Sequence, residues 1–426
     1  MAFAYPTKQT DRETKTKELE RNRINFVPEG KTELFCYASN MLSADDNTKK
    51  LRGRVEILDF LQEQSKSTSA FTLVAGYGNG TLHPLSLDQD LFTVILKTFN
   101  LPEKVHEVIY SIHGVFARFV ESDDGDGDGP KSLLILLSTP KAPVREVFCT
   151  MRITPALNTV TCLLFDAQLT DLGRIIESVH NINRDNPARL SAWKTAFQFL
   201  LFLARELGHT SESKRHALDR SILGAEVQTK STPWDDPSRA LVRWPNDIHE
   251  ATSVLHLCHN NLLFVARAVE FEIDLWRWLR RLVVGGDSKN EALLWLRGSD
   301  VRAGVWTALI DSIDFEMVHT MNKKTQIDCL KERIGVQINL INNLIAHQES
   351  SQTNLIAIVA LVFAPASLIA SIFSAGIFAT DHRSWIAYVA LTVPITILTV
   401  LTGVSFLEQQ KLKHCLSFDV SSLIMT

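Results

Sequence analysis

The sequence predicts an α+β cytosolic domain with long helices, followed by a two-helix transmembrane hairpin. Three observations carry this. Leu355 to Phe378 and Trp385 to Leu407 contain no charged residue, and each is as long as the roughly 20 apolar residues that cross a bilayer as helix. Only Ala379 to Ser384 separates them, so the pair forms an antiparallel hairpin whose outer ends share one side of the membrane. Upstream, short strand-like runs occupy the chain to about residue 180, and long helical runs follow Pro187.

The chain has 426 residues, with 44 basic against 48 acidic side chains and a formal net charge of −4. That balance gives no footing for a nucleic-acid backbone. Six scattered cysteines form no CxxC pair, which argues against an oxidised framework. Met1 to Lys31 is polar and lacks the apolar core of a signal peptide. The N-terminal part is therefore expected to stay in the cytosol. Lys411 and Lys413 after the second run, against Arg383 between the runs, bias the orientation the same way. Both termini of this integral, multi-pass protein are expected in the cytosol.

In chain order, residues 1–30 read as a disordered polar N-terminus, dense in charge between Thr10 and Arg23. Residues 31–185 read as an α/β domain. Its strand candidates are Leu34–Tyr37, Val55–Leu58, Phe71–Val74, Ser132–Leu137, Val144–Ile153 and Thr159–Phe165. Gly76 to Gly80 reads as a turn, without the spacing of a nucleotide loop. Leu101 to Phe119 and Asp171 to His180 read as helices. Asp124, Asp126 and Asp128 resemble the first half of a calcium loop, but Ile135 stands where such a loop needs a bidentate Glu.

Residues 186–325 read as a helical region. Arg189–Leu207 is a helix, Gly208–Ser238 a polar loop, and Asn246–Leu282 a long helix entered through Pro245 and ended by Gly285-Gly286. A short helical run surrounds Ala292 to Leu296. A last helix starts near Val305, becomes a stalk over residues 326–378 and continues into the first span. Ile327, Leu330, Ile334, Ile338, Ile341 and Ile345 recur on it at spacings of three or four. Such a stripe packs either on its own domain or in a bundle of subunits, and the bundle is the expectation. A short loop over 379–384, a second span over 385–407 and a cytosolic tail over 408–426 complete the chain.

Ala366, Ala370 and Ser374 lie four apart in the first span, and Ser367, Ser371 and Ala375 form the adjacent row. Small residues allow close helix approach or a narrow lining. Pro365, and Pro394 in the second span, are helix-kink candidates. No ionisable residue lies inside either span, which argues against a proton relay. A neutral pore can still pass cations over oxygen dipoles, here from Asn354, Ser367, Ser371, Ser374 and the backbone. His249, His256, Cys258 and His259 are near one another on the long helix without the carboxylate spacing of a zinc site. No hydrolase, metalloprotease or kinase motif is present, so an enzyme is not expected.

Asn343-Leu344-Ile345-Ala346-His347-Gln348, Asn354 to Val359 and Phe363-Ala364-Pro365 through Phe373 resemble the CorA-like family of magnesium transporters, in the style of its divergent fungal members. The resemblance covers about residues 325 to 410. It implies a funnel-shaped homopentamer in the lipid membrane, with the first span lining the pore and the second surrounding it. It implies that Asn354 faces the pore near the cytosolic mouth and that Pro365 is the family's first-span proline. Where the family carries Gly-Met-Asn, this chain has Ser374, Ala375 and Gly376. Gly376 then offers only a backbone carbonyl, and Asp381 is the remaining outer-mouth carboxylate. The expectation is a divalent cation channel or transporter, magnesium-like, passive, homo-oligomeric and without a cofactor. The alternative is a non-conducting scaffold or sensor derived from the same family.

Overall fold

The computed structural model describes residues 24–40, 47–66, 69–78, 83–111, 113–122, 130–141, 144–166, 192–229, 248–284, 303–375, 385–402 and 405. The chain divides into two compact units, Met1–Gly335 and Val336–Thr426.

The first unit is built on a mixed sheet. Its strands are β1 (Glu33–Asn40), β2 (Asn47–Arg52), β3 (Ser69–Tyr77), β4 (Val115–Ser122), β5 (Pro130–Ser138), β6 (Val147–Thr154) and β7 (Thr159–Asp166). Their order across the sheet is β2-β1-β3-β7-β6-β5-β4. Among the described strands of this sheet, β3 and β7 alone pair in parallel. Three helices interleave with the strands: α1 (Arg54–Lys66), α2 (Gln89–Thr98) and α3 (Lys104–Tyr110). Two long helices follow, α4 (Ala192–Gln228) and α5 (Ile248–Val284), and then α6 (Ala303–Ser374).

Both sheet faces are covered. Leu133, Ile135 and Leu137 of β5 join a core with Phe199 and Leu203 of α4, Trp276 of α5 and Ile313 of α6. Leu134 and Leu136, pointing the other way, join Ile57, Phe92, Ile95 and Ile109 of α1 to α3. Double coverage explains why β5 reads as an unbroken apolar run rather than an alternating one. A buried ion pair ties the sheet to α4: Arg145 donates to Asp166 Oδ2 from Nε at 3.1 Å, and its Nη1 lies 3.6 Å from Glu206.

Several expectations need correction. Val55–Leu58 belongs to α1, not to a strand. Leu101–Phe119 is not one helix but α3 followed by edge strand β4. The turn region begins later than read: Gly76 and Tyr77 end β3, and Gly78 turns with φ +104° against the Pro84 carbonyl. Much of the expected 208–238 loop is helix, because α4 runs on to Gln228. The end of the polar N-terminus is held from Ile24, which is buried. There Leu85 N–H donates to Asn25 O at 2.9 Å, and Val27 N–H donates to Leu85 O at 3.1 Å. The acidic run 123–129, the helix expected at Asp171–His180, the run around Ala292 and the outer loop and C-terminal tail lie outside the described residues.

The second unit holds the end of α6 and α7 (Trp385–Thr402). These two helices are long and apolar enough to cross a membrane. α6 continues through Pro365 to Ser374, and α7 continues through Pro394. On α7 the hydroxyls of Thr392, Thr396, Thr399 and Thr402 donate to the carbonyls of Tyr388, Thr392, Ile395 and Leu398 at 2.6–3.0 Å. Each of these threonine hydroxyls is thus satisfied inside its own helix, as a lipid environment requires.

Candidate functional site

α6 presents two contrasting faces. Ile327, Leu330 and Ile334 are buried within the first unit. The stripe expected to face neighbouring subunits is therefore covered, over this stretch, by the chain's own domain. Ile341 is buried too, while Ile338 and Ile345 are half-buried.

Charged contacts reinforce that face. Lys323 Nζ donates to Gly208 O at 2.8 Å, to Ser211 Oγ at 2.8 Å and to Glu272 Oε2 at 3.0 Å. Ten residues on, Arg333 grips Glu226 from Nε at 2.9 Å and from Nη2 at 2.7 Å, and reaches Asp219 from Nη1 at 2.7 Å. Nearer the start of α6, Arg205 donates to Glu316 and Arg280 to Asp314, at 2.9 and 2.6 Å. Hydrogen bonding from Arg215 lowers the Glu212 carboxyl below its ordinary value, whereas burial raises that of Glu272.

The sequence of α6 also carries a pattern with a period of seven. It consists of every seventh residue from Phe315 to Ser371, and the residue three after each, from Val318 to Ser374. Every one of these positions is exposed. Glu332 is the only charged member. Before Ser350 the stripe holds Phe315, Val318, Asn322, Thr325, Cys329, Glu332, Val336, Asn339, Asn343 and Ala346. From Ser350 on it holds only small residues: Ser350, Thr353, Ala357, Ala360, Ala364, Ser367, Ser371 and Ser374. Bulky Leu355, Ile356, Val359, Phe363, Leu368 and Ile372 all lie off it. A seven-residue repeat keeps one face turned to a common axis when helices supercoil left-handedly.

Ser367, Ser371 and Ser374 are therefore neighbours on one line, and all three are exposed. Ser371 Oγ donates to Ser367 O at 2.8 Å, leaving the hydroxyl oxygen's lone pairs outward. Asn354 is exposed as well. It follows Thr353 by one residue, so it is turned about 100° from the stripe. It does not share the serine face. Pro365, adjacent to Ala364, is off the stripe too. Gly376 and Asp381 lie outside the described residues. The seven-residue pattern was present in the sequence. It follows no run of large apolar residues, because from Ser350 on its members are small.

Among the described residues no group of three or more His, Cys, Asp or Glu could hold a metal ion. His256 is exposed and Cys258 buried, with its thiol pushed up by burial. The side chain of His249 and the Asp124–Asp128 loop are outside the described residues.

No family model matches the chain, and no curated protein matches it. Among solved structures the chain is similar to the full-length CmaX protein, with 14% identity, 90% of this chain and 98% of that one covered, and a TM-score of 0.48. It is also similar to the soluble domain of CorA from Methanocaldococcus jannaschii, with 9% identity, 73% and 97% covered, and a TM-score of 0.41. The cytoplasmic domain of ZntB from Vibrio parahaemolyticus gives 9% identity, 76% and 99% covered, and a TM-score of 0.34.

Proposed function

We propose that the protein is a divalent cation channel or transporter of the CorA-like type, passing magnesium-like ions passively through a homo-oligomeric membrane pore. The observation that carries this reading is the exposed stripe of α6. It is all but uncharged along its length, and from Ser350 to Ser374 it holds only small residues. Identical copies of such a face around an axis enclose a lumen lined by hydroxyl, amide and backbone oxygens, which hydrated cations accept. Five copies fit the resemblance noted in the sequence. Both termini lie in the cytosol in this reading, and the cation is cargo, so no resident cofactor is required.

The lining consists of Thr353, Ser367, Ser371 and Ser374, continued by Gly376. Asn354 sits beside the lining, just before the apolar run begins. Asp381 supplies attraction at the outer mouth with little geometric discrimination. Without an Asn in place of Gly376, selectivity among divalent cations is weak, because magnesium is held through its water shell and needs oriented acceptors.

The test is flux into liposomes carrying the purified protein, read with dyes for magnesium, cobalt, nickel and zinc. Ser371→Trp on the stripe should abolish uptake, while Leu368→Trp off the stripe should preserve it. One observation favours a second reading, a non-conducting scaffold or sensor: Ser374-Ala375-Gly376 replaces the family's outer-mouth motif. Zero native flux for every ion, where an active relative conducts, would decide for the scaffold.

A further inference from the structure

We propose that Lys323 is the register key of α6: the buried residue that fixes the height and rotation at which this helix seats on α4 and α5. The apolar contacts cannot do this alone. Ile327, Leu330 and Ile334 repeat at spacings of three or four. Sliding α6 by one or two turns puts one branched aliphatic side chain where another had been. Such a stripe favours contact with little preference for one register over the next.

Lys323 removes that ambiguity. Its side chain is 2% exposed and that of Glu272 is 4% exposed. All three donors of the ammonium group are used, on Gly208 O and Ser211 Oγ of α4 and on Glu272 of α5. Three acceptors from two helices converge at a single point. Displacement by one helical turn, about 5.4 Å, strands a buried ammonium in one place and a buried carboxylate in another. An unpaired buried charge is strongly disfavoured, so one seat wins. Arg333 discriminates less, because its longer and partly exposed arm can follow Glu226 and Asp219 through a shift.

The seat also decides which face of α6 points away from the domain. Within the first unit, Lys323 is thus a positioning residue for the stripe from Phe315 to Glu332, and the lining role of that stripe alone rests on the conduction reading. The register claim does not depend on conduction.

The test reads distance rather than flux. Spin labels go on the native Cys329 and on Leu257→Cys, both exposed on the first unit, with Cys415→Ser to avoid a third label. Labelled chains are diluted with unlabelled protein, so that distances within one chain dominate. The native residues at 323 and 272 should give a single narrow distance. K323M/E272M removes both charges together and should fold, since replacing a buried pair by apolar residues of similar volume is often neutral. Its distances should broaden or split by about 5 Å, one helical turn. The charge-swapped K323E/E272K keeps a pair at the same height and should return a single distance; it carries the test if the double Met variant does not fold. A folded K323M/E272M with the native distance overturns the proposal. So does a folded swap that is as broad as the double Met variant.

Discussion

Two residues on α6, Ile334 and Val336, are two positions apart and should respond to mutation in opposite ways. Ile334 is 0% exposed, and Val336 is 63% exposed on the stripe. Ile334→Ala removes about three carbon groups worth about 0.8 kcal/mol each, and the cavity raises the loss to about 3–5 kcal/mol. For a domain of this size that lowers the unfolding temperature by about 6–20 °C. Val336→Asp should cost the fold about 0.5 kcal/mol or less. Its effect falls on assembly. In a ring of five, neighbouring carboxylates about 10 Å apart repel by about 0.4 kcal/mol in water and about 1.7 kcal/mol at an effective dielectric near 20. Five such pairs oppose assembly by about 2–8 kcal/mol, beside the charge already present at Glu332. Thermal unfolding reports the first effect, and mass measurement of the complex in mild detergent reports the second. Ile334→Ala should melt early in any assembly it forms, and Val336→Asp should fall to smaller species while melting normally. An intact Val336→Asp ring, or an Ile334→Ala protein with native melting, refutes the assignment of the two faces.

Other outcomes follow from buried groups. Asp166→Ala removes the nearer carboxylate of buried Arg145 and should cost about 3–5 kcal/mol, read by denaturant unfolding; a loss under about 1 kcal/mol would mean the pair is solvated. Burial pushes the Cys36 thiol up to about 12 and that of Cys162 well up. A maleimide at neutral pH should therefore modify exposed Cys329 quickly and these two only after denaturation, as counted by mass; equal rates would contradict the core assignment. Burial raises the Glu272 carboxyl, with Lys323 pulling the other way. The folded state therefore binds that proton at a higher pH than the unfolded state, and this group's contribution to stability grows as pH falls toward the unfolded value near about 4.3. The native protein should gain unfolding temperature relative to Glu272→Gln on acidification from neutral pH, and a gap that narrows instead would reverse the sign.

The two apolar C-terminal helices were legible because uninterrupted apolar length is a local property. α5 was legible for a similar reason: Pro245 and Gly285-Gly286 punctuate it. The second half of α4 was not. Arg215 pairs with Glu212 on its own helix, but Asp219 and Glu226 are engaged by Arg333, more than a hundred positions later in the chain. A sequence window sees only a polar stretch there. Val55–Leu58 is a four-residue apolar run, too short to tell strand from helix by period. On the candidate site, Ser367, Ser371 and Ser374 were readable as small oxygen-bearing positions on the first span. Thr353, on the same seven-residue line, was passed over because Asn354 beside it carried the family resemblance.

The double coverage of β5 has a consequence for how the domain folds. In a half-exposed strand, a one-residue slip throws the apolar face into water and is rejected at once. In β5 a slip merely exchanges Leu133, Ile135 and Leu137 with Leu134 and Leu136, between two interiors that are equally dry. Polarity cannot proofread this strand. Hydrogen bonds at its ends can. Ser132 Oγ donates to Glu121 at 2.8 Å, and Val147 N–H donates to Thr139 Oγ1 at 2.8 Å just past the other end. Ser132→Ala with Thr139→Val leaves both interiors apolar, yet removes the two marks by which a nascent sheet tells right pairing from wrong. Slow refolding into mispaired, aggregation-prone species is the expected cost.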